Sequence, residues 1–345
     1  MDTRKSNIEL LRIIAMFGIV INHFFFVDFA KIPHVDNSGI YEFIKVLYSF
    51  VNVHVNIFIL ISGYFSIKLK WKSILDLSIK CLTISLLIYL GVILNRHPFN
   101  LKEFIHCFLF FIRDEKWWFI ECYFYLMLLS PLLNYIRNNI NKSQYIKFIV
   151  ILAFINIILG GLLQSKLNNT GFTVHHFIFL YFIGGYIRRF GLLQNIENTK
   201  LLIGFICLSF THYLLNRFQC ALWRGYIDPI IIINAIFIFI IFSRIEIQNK
   251  YINILSKGVF TVYLIHDDGV YTRGFFREII VSFTNLTTNL NLLFLITLAF
   301  SIVLFISILV GDILLRKAES PLINYLSKYD VINKLNNYIN KKYGT

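Results

Sequence analysis

Two ionisable residues stand eleven apart inside one apolar run near the N-terminus, Arg12 and His23 in SNIELLRIIAMFGIVINHF. On a helix, eleven residues make three turns. The two side chains then share a face to within about 20° and lie about 16 Å apart along the axis. An ionisable group inside a membrane span costs at least ~2.5–3.5 kcal/mol on insertion scales, so each needs a reason. A guanidinium can hold an anion. An imidazole, whose ordinary pKa lies near working pH, can take a proton from a hydroxyl. The plainer alternative is a snorkelling arginine and a histidine bonded to another helix. Ala15 and Gly18, between them, let a neighbouring helix or a ligand come close.

Other polar residues sit in similar company. Glu121 follows Trp117 and Trp118 by about one turn, with Tyr125 four residues on. Tyr263, His266 and Asp267 share one face of a late apolar segment, with Asp268 beside them. His54, Asn56, His175 and His176 read as structural or interfacial. Arg12, Lys68, Lys70, Lys72, Lys80, Arg188 and Arg189 form a cationic group at the opposite ends of the helices. Singly, such residues flank spans and orient them. As a set they can also hold a phosphorylated ligand. The pattern is anion capture on one side, acid/base groups toward the other, and a path between.

The elements that must position these groups follow from composition. Of 345 residues, 57% are hydrophobic and 15% charged, with a mean hydropathy of +0.67. A soluble domain is about 45–50% apolar and about 25% charged. A soluble enzyme, a disordered chain and a secreted disulfide scaffold are excluded. The expectation is an all-α, polytopic transmembrane helix bundle, one domain over 1–345. A span needs ~20 mostly apolar residues. Ten candidates are 8–27, 46–67, 74–94, 117–136, 145–164, 174–191, 200–216, 226–243, 253–271 and 291–315. The segment 103–112 is apolar but short, re-entrant or superficial, and 316–345 is a short basic tail. The Lys and Arg distribution puts both termini in the cytoplasm, and the Trp117–Trp118 pair near the outer interface. The net charge of +14 belongs to helix flanks that meet anionic lipid, not to nucleic acid. Cys81, Cys107, Cys122, Cys207 and Cys220 lack CxxC spacing and read as free, mostly buried thiols, with no metal set. The first apolar stretch contains polar residues and no small-residue cleavage site, so it reads as a retained helix.

The motifs also resemble a known family. The Arg12–His23 segment is similar to the first-helix signature of the acyltransferase family 3 membrane proteins. FILISGYF (58–65), WWFIECYFYLMLLSPLLN (117–134), FLYFIGGYIRR (179–189), GVFTVYLIH (258–266) and Glu319-Ser320-Pro321 resemble its later landmarks, in the family's order. The resemblance implies transfer of an acyl group, usually acetyl from acetyl-CoA, to hydroxyls of surface glycans such as O-antigen or capsule. The acceptor would be a glycan or a lipid-linked oligosaccharide. The enzyme would be a multi-pass protein of the bacterial cytoplasmic membrane with no permanently bound cofactor. It maps the family's Arg/His pair onto Arg12 and His23, and its acid onto Glu121. On this plan Arg12, Lys68, Lys70, Lys72, Arg188 and Arg189 hold the donor's phosphates at the cytoplasmic mouth. His23 acts as base, Glu121 orients or stabilises its ring, and His266 polarises the carbonyl, serves as a second base or pairs with Asp267. Direct transfer and an acyl-histidine intermediate both remain open. One departure is that lysines stand at 68, 70 and 72 where many members carry arginines, and lysine lacks arginine's planar fork. The competing classes are a related glycan exporter without acyl chemistry, and a polymerase, which would more commonly have a large outer loop.

Overall fold

The computed structural model describes residues 5–36, 38–95, 98–109, 117–164 and 170–334. Among the described residues there is no strand. Helix α1 (Ser6–Ile21) runs on into a π-helical segment, Asn22–Asp28, and a 3-10 turn, Phe29–Lys31. Then come α2 (Gly39–Val51), α3 (His54–Phe65), α4 (Trp71–Leu94), the short α5 (Leu101–His106) and α6 (Trp118–Asn139). Helix α7 (Lys142–Ala153) is extended by a second π-helical segment, Phe154–Leu162. The rest are α8 (Val174–Phe190), α9 (Asn198–Arg217), α10 (Pro229–Arg244), α11 (Lys250–Leu255), α12 (Val259–His266), α13 (Thr272–Ser282) and α14 (Leu290–Leu326).

Seven of the described helical stretches are long and apolar enough to cross a membrane. The protein is an all-α bundle of the multi-pass membrane type. Side chains such as Leu87, Leu90, Val303, Ile306 and Val310 are exposed on long helices, which is how a helix meets lipid on one side and protein on the other. Three expected spans are shorter than a full crossing. They are α8 at 17 residues, α10 at 16, and the 253–271 segment, which is broken into α11, a 3-10 turn and α12. The expected span 46–67 is likewise two helices, α2 and α3, parted at Asn52 and Val53.

Other boundaries differ from expectation for local reasons. Helix α14 has 37 residues and carries on through Arg316, Glu319 and Pro321, so the expected tail is helical over 316–326; residues 335–345 lie outside the described ones. The expected short segment 103–112 begins as α5, with 110–112 outside the described residues. Trp117 faces protein rather than lipid: it is buried, and its indole N–H donates to the Leu264 carbonyl at 3.2 Å. The five cysteines are free, with Cys207 and Cys220 exposed.

The tightest helix pair explains two of the sequence motifs. A Cβ at Gly63 would overlap the Tyr181 backbone, and one at Gly184 the Leu60 carbonyl. Helices α3 and α8 therefore meet backbone to backbone, as small residues permit in a membrane. Asn56 and His176 lock the same pair from its other end. Asn56 donates to the Tyr226 carbonyl at 2.9 Å, and the His176 ring lies 3.0 Å from the Asn56 amide oxygen.

Candidate active site

A cavity of about 1190 Å³ runs along the face of the first helix. Arg12, Met16, Ile19, Asn22, His23 and Phe26 line it at spacings of four, three, three, one and three, one continuous helical stripe. Lys68, Lys72, Lys80, Lys257 and Arg316 line the same cavity as Arg12. Trp118, Phe119, Tyr123, Phe172, Tyr226 and Tyr263 give it an aromatic wall, and Asp267 and Arg273 add charge near His23. The arginine and the histidine picked out by spacing thus face one space.

His23 lies at the start of the π-helical segment, a departure from α geometry that recurs at functional sites. Its side chain is 14% exposed. Nδ1 is 3.1 Å from His266 Nε2 and 3.4 Å from Asp267 Oδ1. The His266 ring is buried and its Nδ1 lies 2.7 Å from the Val262 carbonyl one turn back. Helix α12 stops at His266, and the chain then turns sharply. The Asp268 carboxylate accepts from the N–H groups of Val270 and Tyr271, each at 3.0 Å, and launches α13. That helix presents Arg273 and Arg277 one turn apart. Arg273 Nη1 is 3.8 Å from Asp267 Oδ1, and Arg277 Nε donates to Asp28 Oδ1 at 2.9 Å. The second pair pins the end of the π-helical segment to α13.

The cationic end contains both paired and unpaired groups. Arg12 is 3.2 Å from Glu9. Lys80 sits between Asp312 at 3.0 Å and Glu319 at 2.6 Å; Arg316 is 2.5 Å from Asp312, which also accepts from the Thr261 hydroxyl at 2.5 Å. Among the described residues no ion pair holds Lys68 or Lys72, and both are exposed.

Several expected site residues lie elsewhere. The Glu121 carboxylate accepts from the Tyr125 hydroxyl at 3.1 Å and does not line the cavity; Asp267 stands beside His23 where Glu121 was expected. The reason is rotational. Phe119, Tyr123 and Met127 line the cavity, and Glu121 is two residues, about 200°, round α6 from Phe119. Lys70 is exposed and off the cavity wall. Arg188 donates to the Tyr64 hydroxyl at 3.3 Å and stacks over its ring. Arg189 donates to the Arg137 carbonyl and, at 2.9 Å, to that of Ile140, so it ties α8 to the end of α6. Arg273, Lys257 and Arg316, which sequence reasoning did not place at the site, line the cavity. Among the described residues, no three His, Cys, Asp or Glu side chains are arranged to hold a metal ion. Asp267→Asn is expected to lower turnover about tenfold to a hundredfold, the scale seen when the outer partner of a metal-bound imidazole is lost. Glu121→Gln is expected to lower it far less. Initial rates of the two variants check this ordering, and the reverse ordering would return the acid's role to α6.

Comparison with known proteins gives one match. A family model described as an acyltransferase domain matches residues 5–316. No curated protein and no solved structure matches the chain.

Proposed function

The chain belongs to the acyltransferase 3 family, and from that membership we propose that it moves an acetyl group from cytoplasmic acetyl-CoA to a hydroxyl of a surface glycan, at the inner membrane of a bacterium. The observation that carries this reading is that Arg12, Lys68 and Lys72 line the same cavity as His23. A donor whose phosphates cannot cross a bilayer is held at the basic mouth. Its thin pantetheine arm reaches up the first helix toward the imidazole.

The chemistry needs a base, because a sugar hydroxyl is protonated at neutral pH. The His23 ring takes the hydroxyl proton as the oxygen attacks the thioester carbon. A C–O bond forms, the C–S bond breaks, and the proton passes to the departing thiolate. The ring is cationic between these steps, and the Asp267 carboxylate 3.4 Å away opposes that charge. The aromatic side chains around Trp118 and Tyr226 supply flat faces for a sugar ring, with a few polar groups to orient it, the usual make-up of a small-molecule site. Trp118 packs 4.4 Å from Phe172 and stacks 6.0 Å from Tyr226, centroid to centroid.

The test is to supply membranes containing the protein with acetyl-CoA labelled in its acetyl group. Alkali-labile label is expected in the glycan fraction, dependent on the protein. Glycan that reaches the surface with no label would sink the enzyme and favour an exporter.

A further inference from the structure

His266 is within hydrogen-bond distance of the proposed base, yet it is 1% exposed and does not line the cavity. We propose that His266 is a positioning residue that fixes the proton of His23 on Nδ1 and leaves Nε2 bare for the substrate hydroxyl. The inference rests on the acyl-transfer reading for its purpose, though not for its geometry.

The geometry runs in one direction. A backbone carbonyl only accepts hydrogen bonds, so His266 Nδ1, 2.7 Å from the Val262 carbonyl, carries a hydrogen. In a neutral imidazole the other nitrogen then bears a lone pair, which makes His266 Nε2 an acceptor. His23 Nδ1 is 3.1 Å from it and must donate. The second neighbour of His23 Nδ1, Asp267 Oδ1 at 3.4 Å, is an acceptor as well. Both partners therefore place the hydrogen on Nδ1, and the lone pair falls on Nε2. Among the described residues no hydrogen bond holds that nitrogen. The donors and acceptors need not rearrange during the reaction. When Nε2 takes a proton from the hydroxyl, the Nδ1–H bond to His266 stays as it was, and Nε2 later gives the proton to the thiolate. A carbonyl thus sets one ring, and that ring sets the next. Elsewhere a histidine's partner fixes its tautomer in the same way, and the wrong tautomer costs about 10⁴-fold in one protease.

The test has two arms on the full-length protein. In the first, nitrogen-15 histidine is incorporated and the His23 signals are assigned by their loss in His23→Ala. Nδ1 is expected protonated and Nε2 bare; a hydrogen on Nε2 would overturn the proposal even if neither His266 variant folds. In the second, acetyl transfer from acetyl-CoA to membrane glycan is measured for His266→Gln, whose amide oxygen can accept in place of Nε2, and for His266→Met, which keeps bulk without a comparable acceptor. The Gln protein is expected within about tenfold of the parent. The Met protein is expected about a hundredfold or more lower in kcat with KM for acetyl-CoA unchanged. Equal losses, or a loss confined to KM, would overturn the proposal. Absence of transfer by the parent protein would sink the acyl-transfer reading instead, and the first arm would still report the tautomer.

Discussion

His23→Ala is expected to reduce acyl transfer by about 10²–10⁴-fold at saturating acetyl-CoA, the contribution typical of a positioned base. On the proposed reading donor binding should be unchanged, because Arg12, at the basic end of the cavity, lies about 16 Å away along the same helix. The substitution leaves the Val262–His266 bond and the Asp267–Arg273 pair intact, so the helices around the site keep their ties. Initial rates and donor titrations on the same preparation separate the two effects. A variant that turns over at the parent rate removes His23 from the chemistry. One that loses donor affinity instead makes the ring part of the binding surface.

The second large effect is on stability. Lys80 is 10% exposed and lies between the carboxylates of Asp312 and Glu319, on α4 and α14. Lys80→Met removes the cation and leaves two largely buried carboxylates; Asp312 keeps Arg316 and the Thr261 hydroxyl, while among the described residues no other ion pair holds Glu319. Removing one partner of a buried pair costs about 3–5 kcal/mol, chiefly from the charge left behind. Thermal unfolding in detergent should show that loss, and Glu319→Gln in the same protein should recover part of it, since residues in one network do not act additively. If Lys80→Met unfolds at the parent temperature, the cluster does not hold these helices together.

The sequence made some of this legible and hid the rest for identifiable reasons. Arg12 and His23 could be paired because an apolar helix makes any ionisable residue conspicuous and eleven residues close three turns. The cavity stripe from Arg12 to Phe26 bears that spacing out. The rotation of α6 could not be read in the same way. In a membrane both the lipid face and the protein face of a helix are apolar, so no polarity gradient shows that Glu121 turns away while Phe119 and Tyr123 turn in. Arg188 and Arg189 look like any basic flank in sequence. Their bonds to Tyr64, Arg137 and Ile140 depend on α3, α6 and α8 meeting. Asp267 was visible beside His266. Its position against His23 depends on α12 ending one residue earlier, and Arg273 reaches it only because Asp268 caps the turn into α13. Seven of the described helical stretches are long and apolar enough to cross, whereas the breaks at Asn52 and after Leu255 were not foreseen, since apolar content carries no signal for a kink.

The widened turns from Asn22 to Asp28 bear on how chain length can vary. An i→i+5 turn accommodates one residue more than an α-turn. Deleting one residue there would let the ladder close to ordinary α winding with the chain beyond it still in register, so Asp28 would keep Arg277. The same deletion in α1, where no turn is widened, would rotate everything beyond it by about 100° and carry Asp28, Phe24 and Phe25 off their partners on α13 and α14. A change in chain length is therefore better tolerated in the widened turns than one turn earlier.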